Sequence, residues 1–185
     1  MNIPPPGCRI VFTVDDDVYS VHLWIQFESE GLFPGVTWRR SDSLTNAAAH
    51  SISNTDPTLY ILDSRIRIDE KLHRIVSFTI SQRLGIDIGA LETDDVVNGL
   101  YVAAHIKLTR PKSKVILLTA YHRTIADLRQ DDRINRLFSV GCDKMLPKPC
   151  NESDVIRTVA GLLYPSSMTG RTRAINQILH ASGVH

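Results

Sequence analysis

Three carboxylates stand side by side at Asp15-Asp16-Asp17, directly after the β-prone run Arg9 to Val14. Adjacent carboxylates repel one another, and two settings tolerate them. One is the solvated first turn of a helix, where acids meet the positive end of the helix dipole. The other is a site for a hard divalent cation, which takes oxygen ligands. A lone carboxylate, Asp63, ends a second apolar run, Leu59-Tyr60-Ile61-Leu62. It reads either as a turn or N-cap aspartate or as a functional group. A hydroxyl, Thr119, lies at the end of a further run, and an ammonium, Lys148, sits between Pro147 and Pro149 after the last one. Mg²⁺ suits such a set, because it takes a few carboxylates together with waters and phosphate oxygens. The hydroxyl and the ammonium could hold the remaining oxygens of a phosphoryl group. These are parts for phosphoryl transfer to a carboxylate, where positioning and charge neutralisation do most of the catalysis.

Groups so far apart in sequence meet only if the chain places every strand end on one edge. The pattern supports that. Arg9 to Val14 reads as a strand, followed by a helix in which Val18, Val21 and Ile25 recur at helical spacing beside Trp24. Gly35 to Arg39 reads as a second strand, and Ser43 caps a helix carrying Leu44, Ala47, Ala48 and Ile52. Asp56-Pro57 breaks it ahead of the Asp63 strand. Strand and helix in alternation imply right-handed crossovers and a parallel sheet, whose carboxyl edge is where ligands bind. From Ser64 to Asn98 the rhythm breaks. Asp69 to Leu84 reads as a helix with Leu72, Ile75, Val76 and Thr79 on one face and Gly85 as its stop, while Ile86 to Leu91 has no clear assignment. A helix with Leu100, Ala103 and Ile106 follows, then the strand Ser113 to Ala120. Thr124 to Phe138 is helical, with a polar middle that is kinked or looped. Lys144 to Leu146 forms a last strand, and Asn151 caps a helix with Val155, Ile156, Val159 and Leu163.

The bulk properties set limits. The chain has 185 residues, 43% of them hydrophobic, with a net charge of +1. That suits one sizeable core and gives no basic block for direct nucleic-acid binding. Cys8, Cys142 and Cys150 show no CxxC pairing, which fits a reducing, cytoplasmic setting. No apolar run approaches the roughly 18 residues of a membrane span, so no membrane partner is expected. Residues 1–8, with Pro4-Pro5-Pro6, read as a disordered lead, 9–164 as the folded domain, and 165–185 as a linker with a short helix over Arg171 to Ser182.

Val14-Asp15-Asp16, Tyr60 to Asp63, Leu117 to Ala120 and Gly141 to Pro149 together resemble the receiver domain of two-component response regulators. Each stretch alone is a weak signal; four in order, each ending a predicted strand, are a strong one. The resemblance implies an α/β fold: a doubly wound, five-stranded parallel sheet in the CheY-like order 2-1-3-4-5, with an extra helical insert at about 65–97. It implies that Asp63 takes phosphate from the phosphohistidine of a bacterial sensor kinase or phosphotransfer protein and that a downstream protein target reads the result. Asp16 resembles the direct Mg²⁺ ligand and Asp15 its water-mediated companion, and Arg65 would offer the metal its backbone carbonyl. Thr119 resembles the switch hydroxyl and Lys148 its cation partner, with a cis Lys148-Pro149 bond.

The chain departs from that pattern in three places. Ser64-Arg65-Ile66-Arg67 opens an insert roughly 25 to 30 residues beyond common loop lengths, which is either a lid or partner surface or a helix patched onto the flank. Met145 stands at the aromatic switch position, so the output could travel through the insert. The stretch between Thr119 and Lys148 is longer than usual. Two other readings stay open. One is a pseudo-receiver that binds a partner without phosphorylation. The other is a haloacid-dehalogenase-like phosphatase using Asp15-x-Asp17 with Thr119, Lys148 and Asp131-Asp132, which leaves Asp63 without a role. The apolar stripes at Leu72 to Thr79 and Ile175 to Leu179 leave pairing into a homodimer open.

Overall fold

The computed structural model describes residues 9–42, 58–90, 97–121 and 126–164. The expected lead, the helix after Ser43, the acidic stretch 92–95, the start of the helix at Thr124 and everything from 165 onward lie outside the described residues. The described strands are β1 (Arg9–Val14), β2 (Val36–Ser41), β3 (Leu59–Asp63), β4 (Lys114–Thr119) and β5 (Lys144–Pro147). They form one parallel sheet in the order β2-β1-β3-β4-β5. The helices are α1 (Val18–Ser29), α2 (Glu70–Leu84), α3 (Asn98–Thr109), α4 (Asp132–Gly141) and α5 (Glu152–Leu163). The doubly wound parallel fold read from the sequence is the fold observed.

Strand alternation divides the core in two. Val11, Leu59, Ile61, Ile116 and Leu118 face the layer of α1 and α5, with Val155, Ile156, Val159 and Leu163. Phe12, Val14, Tyr60, Leu62, Val115 and Leu117 face α3 and α4. The three central strands are apolar on both faces, so they read as continuous hydrophobic runs.

Three helix faces differ from the sequence reading. On α1, Val18 and Ile25 are exposed, and the buried residues are Ser20, Trp24 and Phe27. The Asp17 cap sets the rotation of the helix, and aromatic packing rewards it: Trp24 stacks on Trp38 at 6.0 Å, with Phe27 and Phe33 edge-on around them. On α2, the buried face is Leu72, Val76 and Ile80, while Ile75 and Phe78 are exposed. Gly85 ends that helix with φ 66°, the left-handed conformation glycine adopts freely. Third, α3 is buried all round from Asn98 to Ile106, because the sheet covers one side and α2, with Ile66, Ile86 and Ile88, covers another. The unassigned stretch is a 3₁₀ turn at Ile88–Ala90 that seats Ile86 and Ile88 in this core. The polar middle of the helix expected at Thr124 to Phe138 is a break: α4 starts only at Asp132, capped by Asp131.

Two polar groups in these layers, one half-buried and one buried, give measurable consequences. Asp143 precedes β5 and accepts from Lys107 Nζ at 3.0 Å, Lys114 Nζ at 3.2 Å and the Val115 N–H at 2.8 Å. Burial opposes its charge, but these donors outweigh burial and hold its carboxyl below the usual value. Asp143→Ala strands a buried N–H and should cost about 1–3 kcal/mol in urea unfolding at neutral pH. Because the folded value lies below the unfolded one, that stabilisation should fade as pH falls below about 4. His105 is 2% exposed, and neither ring nitrogen has a hydrogen-bond partner among the described residues. Burial pushes its imidazole below the usual value, so the unfolded chain takes the proton first. Stability should therefore fall as pH drops below about 6.5. His105→Leu should flatten that slope in urea midpoints measured between neutral and mildly acidic pH; an unchanged slope would assign it to another group.

Candidate functional site

β1, β3 and the segment after β5 end together on the carboxyl edge of the sheet. The register pairs Val14 with Leu62, Asp63 with Leu118 and Thr119 with Pro147, so Asp15, Asp63 and Lys148 reach the same level. The Lys148 ammonium donates to Asp15 Oδ1 and to Asp63 Oδ2, both at 2.7 Å. Its backbone is fixed by Lys148 N–H donating to the Thr119 carbonyl at 2.7 Å, and the Lys148–Pro149 peptide is cis. Asp63 is pinned from behind. Ser64 N–H donates to the Leu118 carbonyl, and Gly99 N–H to the Ser64 carbonyl at 2.9 Å. A Cβ on Gly99 would lie 2.0 Å from the Asp63 carbonyl oxygen, so the start of α3 can press against β3 only as glycine.

Each carboxylate has its own surroundings. The Asp15 side chain is 1% exposed; its Oδ1 also accepts the Asp17 N–H at 2.9 Å, and its Oδ2 is buried without a partner among the described residues. Asp63 Oδ1 accepts the Arg65 N–H at 3.0 Å. Asp16 is exposed, and ligand atoms of Asp15, Asp16 and Asp63 lie within 4.8 Å of one another. Burial pushes the Asp15 carboxyl above its usual value, against the pull of Lys148. Burial also works against the Lys148 charge, but Asp15 and Asp63 more than offset it and hold the ammonium above its usual value. Among the described residues one ammonium thus faces three acids. Asp15 Oδ2, without a partner among them, and the all-oxygen donor set fit a hard divalent cation such as Mg²⁺.

Asp17 does not join this group. Its carboxylate caps α1, accepting from Ser20 N–H and the Ser20 hydroxyl at 3.2 and 2.9 Å. Asp131 is likewise spent on capping α4 and on Arg133, which holds it down to about 2. The Asp15-x-Asp17 phosphatase reading therefore lacks its second acid. Thr119 is fully buried beside the site, and its Oγ1 accepts the Tyr121 N–H at 2.9 Å. Met145 is half-buried and packs against the core under α3 and α4.

A cavity of about 1130 Å³ opens over Asp63 and Lys148, lined also by Asp16, Arg65, Tyr121 and Cys150. Burial pushes the Cys150 thiol up to about 11, which disfavours the thiolate. Sequence reasoning missed Tyr121 and the side chain of Arg65. The guanidinium donates to the Tyr121 hydroxyl and lies 5.3 Å from the ring centroid. Their separation of 56 positions leaves no local pattern to betray the pair.

No described helix is long and apolar enough to cross a membrane. No family model matches the chain, and no curated protein does. Solved structures do match. A CheY-like response regulator receiver domain protein from Methanospirillum hungatei JF-1 aligns with TM-score 0.53 and 15% identity, over 85% of this chain and 94% of that one. The receiver domain of Francisella response regulator 1452 aligns with TM-score 0.53 and 14% identity, over 87% and 100%. The BeF3-activated DrrB receiver domain aligns with TM-score 0.51 and 17% identity, over 84% and 97%. At such identities the likeness speaks for the fold: this chain has the five-stranded α/β fold of response regulator receiver domains.

Proposed function

We propose that the protein is a phosphoacceptor signalling receiver in which Asp63 takes a phosphoryl group from a kinase or phosphotransfer phosphohistidine. The observation that carries this reading is the Lys148 ammonium, held at 2.7 Å from both Asp15 and Asp63 at the floor of an open cavity. An Asp63 carboxylate oxygen attacks phosphorus, the P–N bond of the donor breaks, and the imidazole leaves with its electron pair. Mg²⁺ held by Asp15, Asp16 and Asp63, with the Arg65 carbonyl, would neutralise oxygens of the phosphoryl group. Lys148 would pair with the phosphoryl charge once the Asp63 carboxylate has become a mixed anhydride. Thr119 would supply the switch hydroxyl, and for that its Oγ1 must leave the Tyr121 N–H. The new charge would then change a contact with a downstream protein or a second copy, in a cytoplasmic setting. The likeness in fold to the BeF3-activated DrrB receiver domain supports this reading by analogy.

Incubation with Mg²⁺ and a small phosphodonor should label the wild-type chain, and Asp63→Asn should abolish the label, read by phosphate-affinity electrophoresis and mass mapping. A label that persists in Asp63→Asn contradicts the assignment. A wild-type chain that no phosphodonor labels contradicts it too, and favours a binding module that works unphosphorylated.

A further inference from the structure

Arg65 is joined to the site at both ends, and the reaction as described uses only its backbone. Its N–H donates to Asp63 Oδ1 at 3.0 Å, while its guanidinium lies on Tyr121, through the hydroxyl and across the ring face at 5.3 Å. Tyr121 in turn is tied to the Thr119 hydroxyl through its own N–H at 2.9 Å. Arg65 and Tyr121 both line the cavity over Asp63, one from the loop after β3 and one from the loop after β4. The neighbouring Ile66 is 4% exposed and packs into the core with Leu72 and Val76, so the backbone of this loop is anchored while the Arg65 side chain lies at the surface. A guanidinium on a neutral phenol has made a modest bond; a phosphoryl group offers it charge-assisted, bidentate ones. The start of its side chain is beside Asp63, so the head can swing to the acceptor without moving the loop.

We infer that Arg65 is a second phosphoryl-binding cation of this site, parked on Tyr121 until a phosphoryl group arrives. This rests on the phosphoacceptor reading. Lys148 holds the acceptor from below; Arg65 would close on the donor from the cavity side, positioning the phosphoryl group for attack. Tyr121 sets the threshold, since every bond it makes to Arg65 must be given up on donor binding. Arg65 and Tyr121 therefore act in opposite directions on donor affinity, which a merely structural pair would not do.

The test is the initial rate of Asp63 phosphorylation against acetyl phosphate concentration, in saturating Mg²⁺, for the wild type, Arg65→Ala, Arg65→Lys and Tyr121→Phe. Arg65→Ala should raise the half-saturating donor concentration by roughly tenfold, the size of a lost charge-assisted hydrogen bond. Arg65→Lys should recover part of it, because a point charge replaces the fork. Tyr121→Phe keeps the ring, loses the competing hydroxyl, and should lower the half-saturating concentration by roughly threefold. If Arg65→Ala and Tyr121→Phe move it in the same direction, or neither moves it while the wild type is labelled normally, the inference is overturned. A wild type that neither acetyl phosphate nor phosphoramidate nor a phosphohistidine donor labels overturns the phosphoacceptor reading itself, and this inference with it.

Discussion

The Lys148 ammonium between Asp15 and Asp63 is the contact on which the site depends. The three side chains are 10%, 1% and 10% exposed. Buried charges are costly unless they are paired and hydrogen-bonded, and removing one partner leaves an uncompensated ion. The partners lie 133 and 85 positions from Lys148 in the chain, so nothing local assembles them. Parallel strands with ends on a common edge do. Among the described residues the charge arithmetic is also left incomplete: one ammonium stands against three acids, and Asp15 Oδ2 has no partner. Such an edge suits the cation and the phosphoryl group of the proposed function.

A second layer of packing lies above α3. Here α2, Ile66, Ile86 and Ile88 close over α3, so that α3 is buried all round. The same helix meets its neighbours closely at two glycines: Gly99 of α3 against the Asp63 carbonyl, and Gly141 of α4 against Ala104 of α3. The backbone behind Asp63 is thus fixed by packing as well as by hydrogen bonds. The Arg65–Ile66 step joins this layer to the site directly, since one residue touches Asp63 and the next is core. Phe78 and Ile75 remain exposed on the outer face of α2.

Some of this was legible in the residues and some was not. Runs such as Tyr60-Ile61-Leu62 and Val115-Ile116-Leu117-Leu118, each ending in a polar group, announced buried parallel strands and their order along the chain. The acids, hydroxyl and lysine at those ends pointed to one edge. Helix faces were harder. Val18, Val21 and Ile25 have helical spacing, but a cap at Asp17 and an aromatic stack on Trp38 rotate α1 to bury Trp24 and Phe27 instead. Spacing shows that a stripe exists and leaves open which stripe the tertiary packing covers. The run Leu100 to Ile106 is nearly all apolar, which signals a helix buried all round, yet what covers it comes from a distant segment. The Arg65–Tyr121 contact joins two loops and had no periodic signal at all.

Calorimetric titration with Mg²⁺ tests the central claim most directly, because it asks whether the acids on this edge act as one site. A single saturable event is expected in the wild type, lost or strongly weakened in Asp15→Asn and in Asp16→Asn, with both variants still folded. Mg²⁺ binding that is unchanged by either substitution would contradict it.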